Sequence, residues 1–136
     1  MTAYAKNGMI GTTMREVVWI GTSREDLRTF PDDVQDEIGF ALYWAQIGTK
    51  HPRAKPLRGF GGAGVLEIVA EERGDTYRAV YTVTLPDAVY VLHAFQKKAT
   101  QGIATSRREI ELVRERLKVA RARSVRRSAQ TQGGDP

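Results

Sequence analysis

Several residues in this sequence have types and spacings suited to chemistry on a phosphate ester. Arg78 lies in mid-strand, in the run Tyr77-Arg78-Ala79-Val80-Tyr81. An unpaired buried guanidinium is costly. Arg78 therefore calls for a carboxylate, such as Glu67 on the neighbouring strand, or for an anionic ligand, and a guanidinium matches phosphate bidentately. The run His93-Ala94-Phe95-Gln96-Lys97-Lys98 adds an imidazole and two ammonium groups. Successive strand residues point to opposite faces, so at least one of these lysines should share a face with Arg78. His93, with an ordinary pKa of about 6.5, suits a general acid or base, and equally suits a hydrogen-bonded structural position. Tyr77, Tyr81 and Tyr90 either stack on bases or pack the core.

Other chemistries are excluded. The chain has no cysteine, which removes disulfides, thiol catalysis and thiolate metal sites. Two histidines, His51 and His93, make a histidine-rich zinc site improbable, and no metal or cofactor is expected. The stretch from Gly59 to Gly64 lacks the Gly-Lys-Ser/Thr ending of a phosphate loop and leads into a strand rather than a helix. No apolar run approaches the ~20 residues of a membrane span, and no signal-peptide pattern appears. The expectation is a soluble, cytoplasmic protein.

The charge distribution points to a polyanionic partner. Lys and Arg number 21 against 16 Asp and Glu, a net +5. Residues 107 to 127 hold nine basic and three acidic groups, a local +6, leaving −1 for the rest. Lys50, His51, Arg53, Lys55 and Arg58 form a second basic cluster with no acid among them. Two such patches on 136 residues fit nucleic acid, although a solvated helix face with a basic tail has the same composition.

The elements that must position these groups can be read along the chain. Residues 1–13 have no periodicity and read as a flexible extension, with Met14 as a possible original start. Arg15 to Ile20 reads as a strand. Ser23-Arg24-Glu25-Asp26 has capping-box form and opens a short helix. Pro31 starts a second helix, with Val34, Ile38, Ala41, Leu42 and Ala45 at helical spacing and Gly48 as terminator. These two helices should form a hairpin. Residues 49–64 are a Pro- and Gly-rich loop. Val65–Ala70, Thr76–Thr84 and Ala88–Phe95 then read as an antiparallel meander. Ser106-Arg107-Arg108-Glu109 is a further capping box, opening a helix with Ile110, Val113, Leu117 and Ala120 on one stripe. Order should fade across 124–136. The expected fold is α+β, with the helix hairpin and the final helix packed on one face of an antiparallel sheet.

A set of residues in order carries a family resemblance. Lys55-Pro56-Leu57-Arg58-Gly59 precedes the meander. Leu66-Glu67-Ile68, Tyr77-Arg78-Ala79-Val80-Tyr81, His93 to Lys98 and Arg107-Arg108-Glu109-Ile110 follow. Across residues 14–123 the chain resembles the HigB-like, phage-related branch of the RelE/ParE toxin superfamily. The resemblance implies a RelE-like fold and the toxin half of a type II toxin–antitoxin pair. It implies an endoribonuclease that cleaves mRNA on the ribosome by 2′-hydroxyl attack, without a metal, and so inhibits translation. It implies catalytic roles for Arg78, His93, Lys97, Lys98 and Glu67, and contacts to RNA or ribosome from Lys55, Arg58, Arg107 and Arg108. It further implies a helix-turn-helix, HigA-like antitoxin as partner. RelE itself has lysines where this chain has Glu67 and Val69, so the general base is open. Two other roles fit the same fold: a ParE-like, non-enzymatic inhibitor of DNA gyrase, and an inactive phage-derived nucleic-acid-binding module.

Overall fold

A computed structural model describes residues 14–62, 64–97 and 104–133. The proposed extension 1–13 lies outside them. The elements in chain order are β1 (Glu16–Trp19), α1 (Ser23–Arg28), α2 (Asp32–Gln46), β2 (Lys55–Pro56), β3 (Val65–Glu72), β4 (Asp75–Thr82), β5 (Ala88–Lys97) and α3 (Arg107–Gly133). They form an α+β fold around one five-stranded sheet of order β1-β5-β4-β3-β2.

The sheet is mixed rather than purely antiparallel. The meander β3-β4-β5 is antiparallel as expected, but β1 pairs with β5 in parallel, Glu16 opposite Ala88 and Trp19 opposite Val91. The two α-helices between β1 and the meander supply the long crossover that a parallel pair requires. Lys55–Pro56 adds a two-residue edge strand inside the predicted loop, where a proline is tolerated because the missing N–H faces no partner.

The helices cover both faces of the sheet, not one. Val34, Ile38, Ala41, Leu42 and Ala45 of α2 pack with Ile68, Ala79, Tyr81 and Val91. Val113, Leu117 and Ala120 of α3 pack with Val80, Tyr90 and Leu92 on the other side. The reason is the strand pattern: β4 and β5 are buried on alternate residues in both directions, so each face needs its own cover. The three candidate base-stacking tyrosines are core residues, with Tyr77 at 8% exposure and Tyr81 and Tyr90 at 0%.

Local capping differs from expectation at α1. The N-cap is Thr22, and the Ser23 hydroxyl instead donates to the Val91 carbonyl at 3.2 Å, tying α1 to β5. The C-terminal helix also continues past residue 124, where composition predicts fading order. Two contacts to the β4–β5 turn hold it. Ser124 Oγ lies 2.5 Å from Asp87 Oδ1, and Arg127 Nε lies 3.1 Å from Asp87 Oδ2. Arg127 also pairs with Glu16 on β1. Burial alone would raise the Asp87 carboxyl, but hydrogen bonds from Ser124 and Tyr90 and the charge of Arg127 hold it below its usual value. A hydrogen bond to a carboxylate contributes about 1.5–3 kcal/mol. Ser124→Ala should therefore lower the melting temperature by roughly 4 °C or more. Truncation after Arg123 should lower it further, with loss of helical circular dichroism.

Candidate active site

One face of the meander collects the polar residues singled out in the sequence. Val80 lies opposite Glu67 on β3 and His93 on β5. Arg78 lies opposite Phe95, Thr76 opposite Lys97, and Lys55 on β2 opposite Glu67. Cross-strand partners share a face, so Lys55, Glu67, Arg78, His93 and Lys97 all belong to the face covered by α3. Lys98 lies outside the described residues.

Simple alternation along β5 would not place His93 there. Ala88, Tyr90 and Leu92 belong to the α3-side core, whereas Val89 and Val91 belong to the α2 side. The parity then inverts, with Ala94 on the α2 side and Phe95 on the α3 side. The cause is a β-bulge. Val80 pairs with His93 but Tyr81 pairs with Val91, so Leu92 is an extra residue. Bulges re-aim side chains and leave ladder groups unpaired.

Arg116 of α3 answers that unpaired backbone. Its Nη1 donates to the Leu92 carbonyl at 3.0 Å and lies 3.3 Å from His93 Nδ1. Its Nη2 donates to Thr22 Oγ1 at 3.1 Å, and Thr22 in turn donates to Asp26 at 2.8 Å. The guanidinium passes so close to Gly21 that a Cβ there would sit 2.8 Å from its Cζ, and Gly21 has φ +57°.

The other ring nitrogen of His93, Nε2, lies 2.7 Å from Glu109 Oε1. An arginine can only donate. His93 Nδ1 must therefore accept, which leaves the proton on Nε2, directed at Glu109. The ring stacks on Phe95 with centroids 4.7 Å apart. Burial pushes the imidazole below its ordinary value; Glu109 and Asp26 oppose this and Arg116 adds to it. His93 is thus held neutral at pH 7.

Glu109 departs from the predicted capping box. Its amide donates to Ser106 Oγ at 3.4 Å, but its carboxylate turns to His93 instead of back to the Ser106 amide. Arg78, 6% exposed, meets the carboxylate alternative read from the sequence. Nη1 donates to Glu67 Oε1 at 3.3 Å and to Thr105 Oγ1 at 3.1 Å, and Thr105 donates to Glu67 Oε2 at 2.6 Å. Glu67 therefore has both oxygens engaged.

Lys97 is different. It is 5% exposed and has no acidic partner among the described residues. It lines a cavity of about 340 Å³ together with Phe95, Gln96, Ser106, Arg108 and Glu109. Ser106 immediately precedes α3, so the positive end of a 27-residue helix abuts this cavity. A lysine beside a helix N-terminus and an arginine is an environment for an anion. A larger groove of about 900 Å³, bordered by Asp26, Phe30, His93 and Glu109, adjoins it.

The surface cations flank this region. Lys55, Arg58, Arg107 and Arg108 are exposed. The loop carrying Arg58 packs on α3 through Phe60, whose ring lies 4.8 Å below the Arg114 guanidinium. That contact brings the Arg58 end of the second basic cluster beside α3, whereas Arg53 of the same cluster pairs with Glu37 on α2. Among the described residues no group of three ligand-type side chains is placed to hold a metal, and no helix is long and apolar enough to cross a membrane. Sequence reasoning missed Thr105, Glu109 and Arg116. Glu109 was read as a cap, and Arg116 as one of many helix-face charges.

Residues 25–118 match the phage-derived Gp49-like family, and the chain belongs to it. With that family it belongs to the RelE-type toxins. Among solved structures the chain is similar to the RelBE2 toxin–antitoxin complex of Mycobacterium tuberculosis. The identity is 26%, over 64% of this chain and 94% of that one, with a TM-score of 0.34. The identification rests on the family match. No curated protein matches the sequence.

Two predictions follow from the bulge. Gly21→Ala should cost about 1–3 kcal/mol, because alanine resists this backbone conformation and its methyl collides with Arg116; chemical denaturation measures it. His93 has a folded pKa below its unfolded one, so the unfolded state binds more protons between the two values. Its stabilisation is complete above about pH 6.5 and declines as pH falls below that. Melting curves of His93→Gln should show a weaker acid dependence than the parent.

Proposed function

We propose that this protein is the toxin of a type II toxin–antitoxin pair and acts as an endoribonuclease, cleaving mRNA on the ribosome by 2′-hydroxyl attack and so inhibiting translation. The observation that carries the reading is Lys97: a largely buried lysine, without a carboxylate partner among the described residues, on the wall of a cavity shared with Arg108 and the start of α3. A phosphate in the cavity would supply the anion that these cationic groups lack. Membership of a RelE-type toxin family supports the same reading.

The chemistry follows from charge. The ribose 2′-oxygen forms a bond to the adjacent phosphorus, the bond from phosphorus to the 5′-oxygen breaks, and a cyclic phosphate and a free 5′-hydroxyl result. Negative charge builds on the phosphate oxygens in between. Lys97 and the α3 N-terminus stabilise it, and the Lys97 ammonium supplies the proton for the leaving 5′-oxygen. Lys98 extends the basic pair. Arg78, braced by Glu67 and Thr105, contributes positive potential from the sheet floor. Lys55, Arg58, Arg107 and Arg108 bind phosphates of the message or the ribosome, with affinity falling as salt rises. The partner that silences the toxin is a helix-turn-helix, HigA-like antitoxin.

The first experiment is mapping of RNA 5′ ends across the transcriptome, minutes after the protein is induced without antitoxin. New ends inside translated frames, lost when initiation is blocked, are expected. Intact messages with arrested replication would instead indicate gyrase inhibition. A second experiment isolates Lys97. Lys97→Met should leave the melting temperature close to the parent's and should lower the cleavage rate about 100-fold or more. Parental cleavage by this variant would remove Lys97 from the mechanism.

A further inference from the structure

We infer that Glu109 is the general base of the site, that His93 positions it rather than exchanging the substrate's proton, and that Arg116 sets the tautomer that lets His93 do so. This inference rests on the ribonuclease reading and answers the question of the base, which the sequence left open.

Three groups compete for the role. Glu67 has both oxygens occupied, by Arg78 and by Thr105. His93 has no free lone pair: Nδ1 faces an Arg116 N–H and Nε2 bears the proton. Glu109 accepts from His93 through Oε1 only, and Oε2 has no partner among the described residues. The Glu109 side chain is 27% exposed against 7% for His93, so the carboxylate reaches solvent where the imidazole does not. Glu109 also borders both the cavity that holds Lys97 and the adjoining groove. Its carboxylate leaves the Ser106 amide without the reciprocal bond of a capping box, a local stabilisation given up.

Charged groups reach the His93–Glu109 pair from two elements. Arg116 approaches from α3, where it also secures the Leu92 carbonyl of the bulge, and Asp26 acts from α1. An imidazole with Nε2–H fixed on Oε1 holds the carboxylate's orientation and leaves Oε2 available to accept a proton. In the reaction, the 2′-hydroxyl proton passes to Glu109 as the 2′-oxygen bonds to phosphorus. The 5′-oxygen leaves with a proton from Lys97. Glu109 ends protonated and Lys97 neutral, and solvent returns both to their starting states.

The test is single-turnover cleavage of mRNA on programmed ribosomes as a function of pH, together with ¹⁵N NMR of the His93 ring in the free, full-length protein. Glu109→Gln keeps a carbonyl to accept the His93 proton but cannot take a proton from substrate. It should cleave about 100-fold or more slowly and lose the acid limb of the parent's profile, with an unchanged melting temperature. Glu109→Asp should retain part of the rate and keep an acid limb. The NMR spectrum should show the proton on Nε2 in the parent, and a mixture with Nδ1–H in Arg116→Gln. Cleavage by Glu109→Gln at the parent's rate, or an Nδ1–H tautomer in the parent, would overturn the assignment while leaving the ribonuclease reading intact. A parent that cuts no RNA on ribosomes would overturn both.

Discussion

The extra residue in β5 is the constraint on which the rest of this site depends. Without Leu92 out of register, His93 would point toward the α2 core and Phe95 would follow it. The bulge exposes a carbonyl that the ladder no longer satisfies, and a buried unpaired carbonyl costs about 1–3 kcal/mol. Arg116 supplies the missing donor and spends its other N–H groups on His93 and Thr22. One side chain thereby joins the sheet, the helix above it and the turn after β1. The parallel pairing of β1 with β5 brings Gly21 beside the bulge, and glycine there leaves room for the guanidinium.

The charges on the α3 face divide into two kinds. Arg78 and Glu67, with Thr105, form a hydrogen-bonded ion pair inside the sheet. Such a pair fixes geometry more than it adds stability, because desolvation of both ions offsets much of their attraction. Lys97 has no such partner among the described residues, yet it is equally buried. Lys97 instead lines a cavity beside the start of α3.

The outer cations work differently. Arg58 and the α3 arginines are far apart in sequence, and the Phe60–Arg114 contact draws their segments together. The resulting basic surface is exposed and screened by salt, so it contributes little to folding. The far end of α3, held by Ser124 and Arg127 on Asp87, keeps that helix in place over the sheet.

Much of this was legible in the residues themselves. Helical spacing in α2 and the first turns of α3, the two short turns of the meander and the α+β class follow from local periodicity and turn chemistry, which depend on neighbours in sequence. The candidates Arg78, His93 and Lys97 could be named because their side chains carry the chemistry wherever they sit. What local pattern cannot carry is a parity change. The Leu92 bulge is written in no residue type, and it decides which face His93 occupies. The parallel β1–β5 pair, helices on both faces, the persistence of α3 to Gly133 and the turning of Glu109 from its cap to an imidazole all arise from contacts between segments distant in the chain. The sequence by itself determined the elements and the chemical inventory. Tertiary packing decided their faces and partners, because each unpaired backbone group or buried charge was satisfied by whichever distant side chain the fold brought within hydrogen-bonding distance.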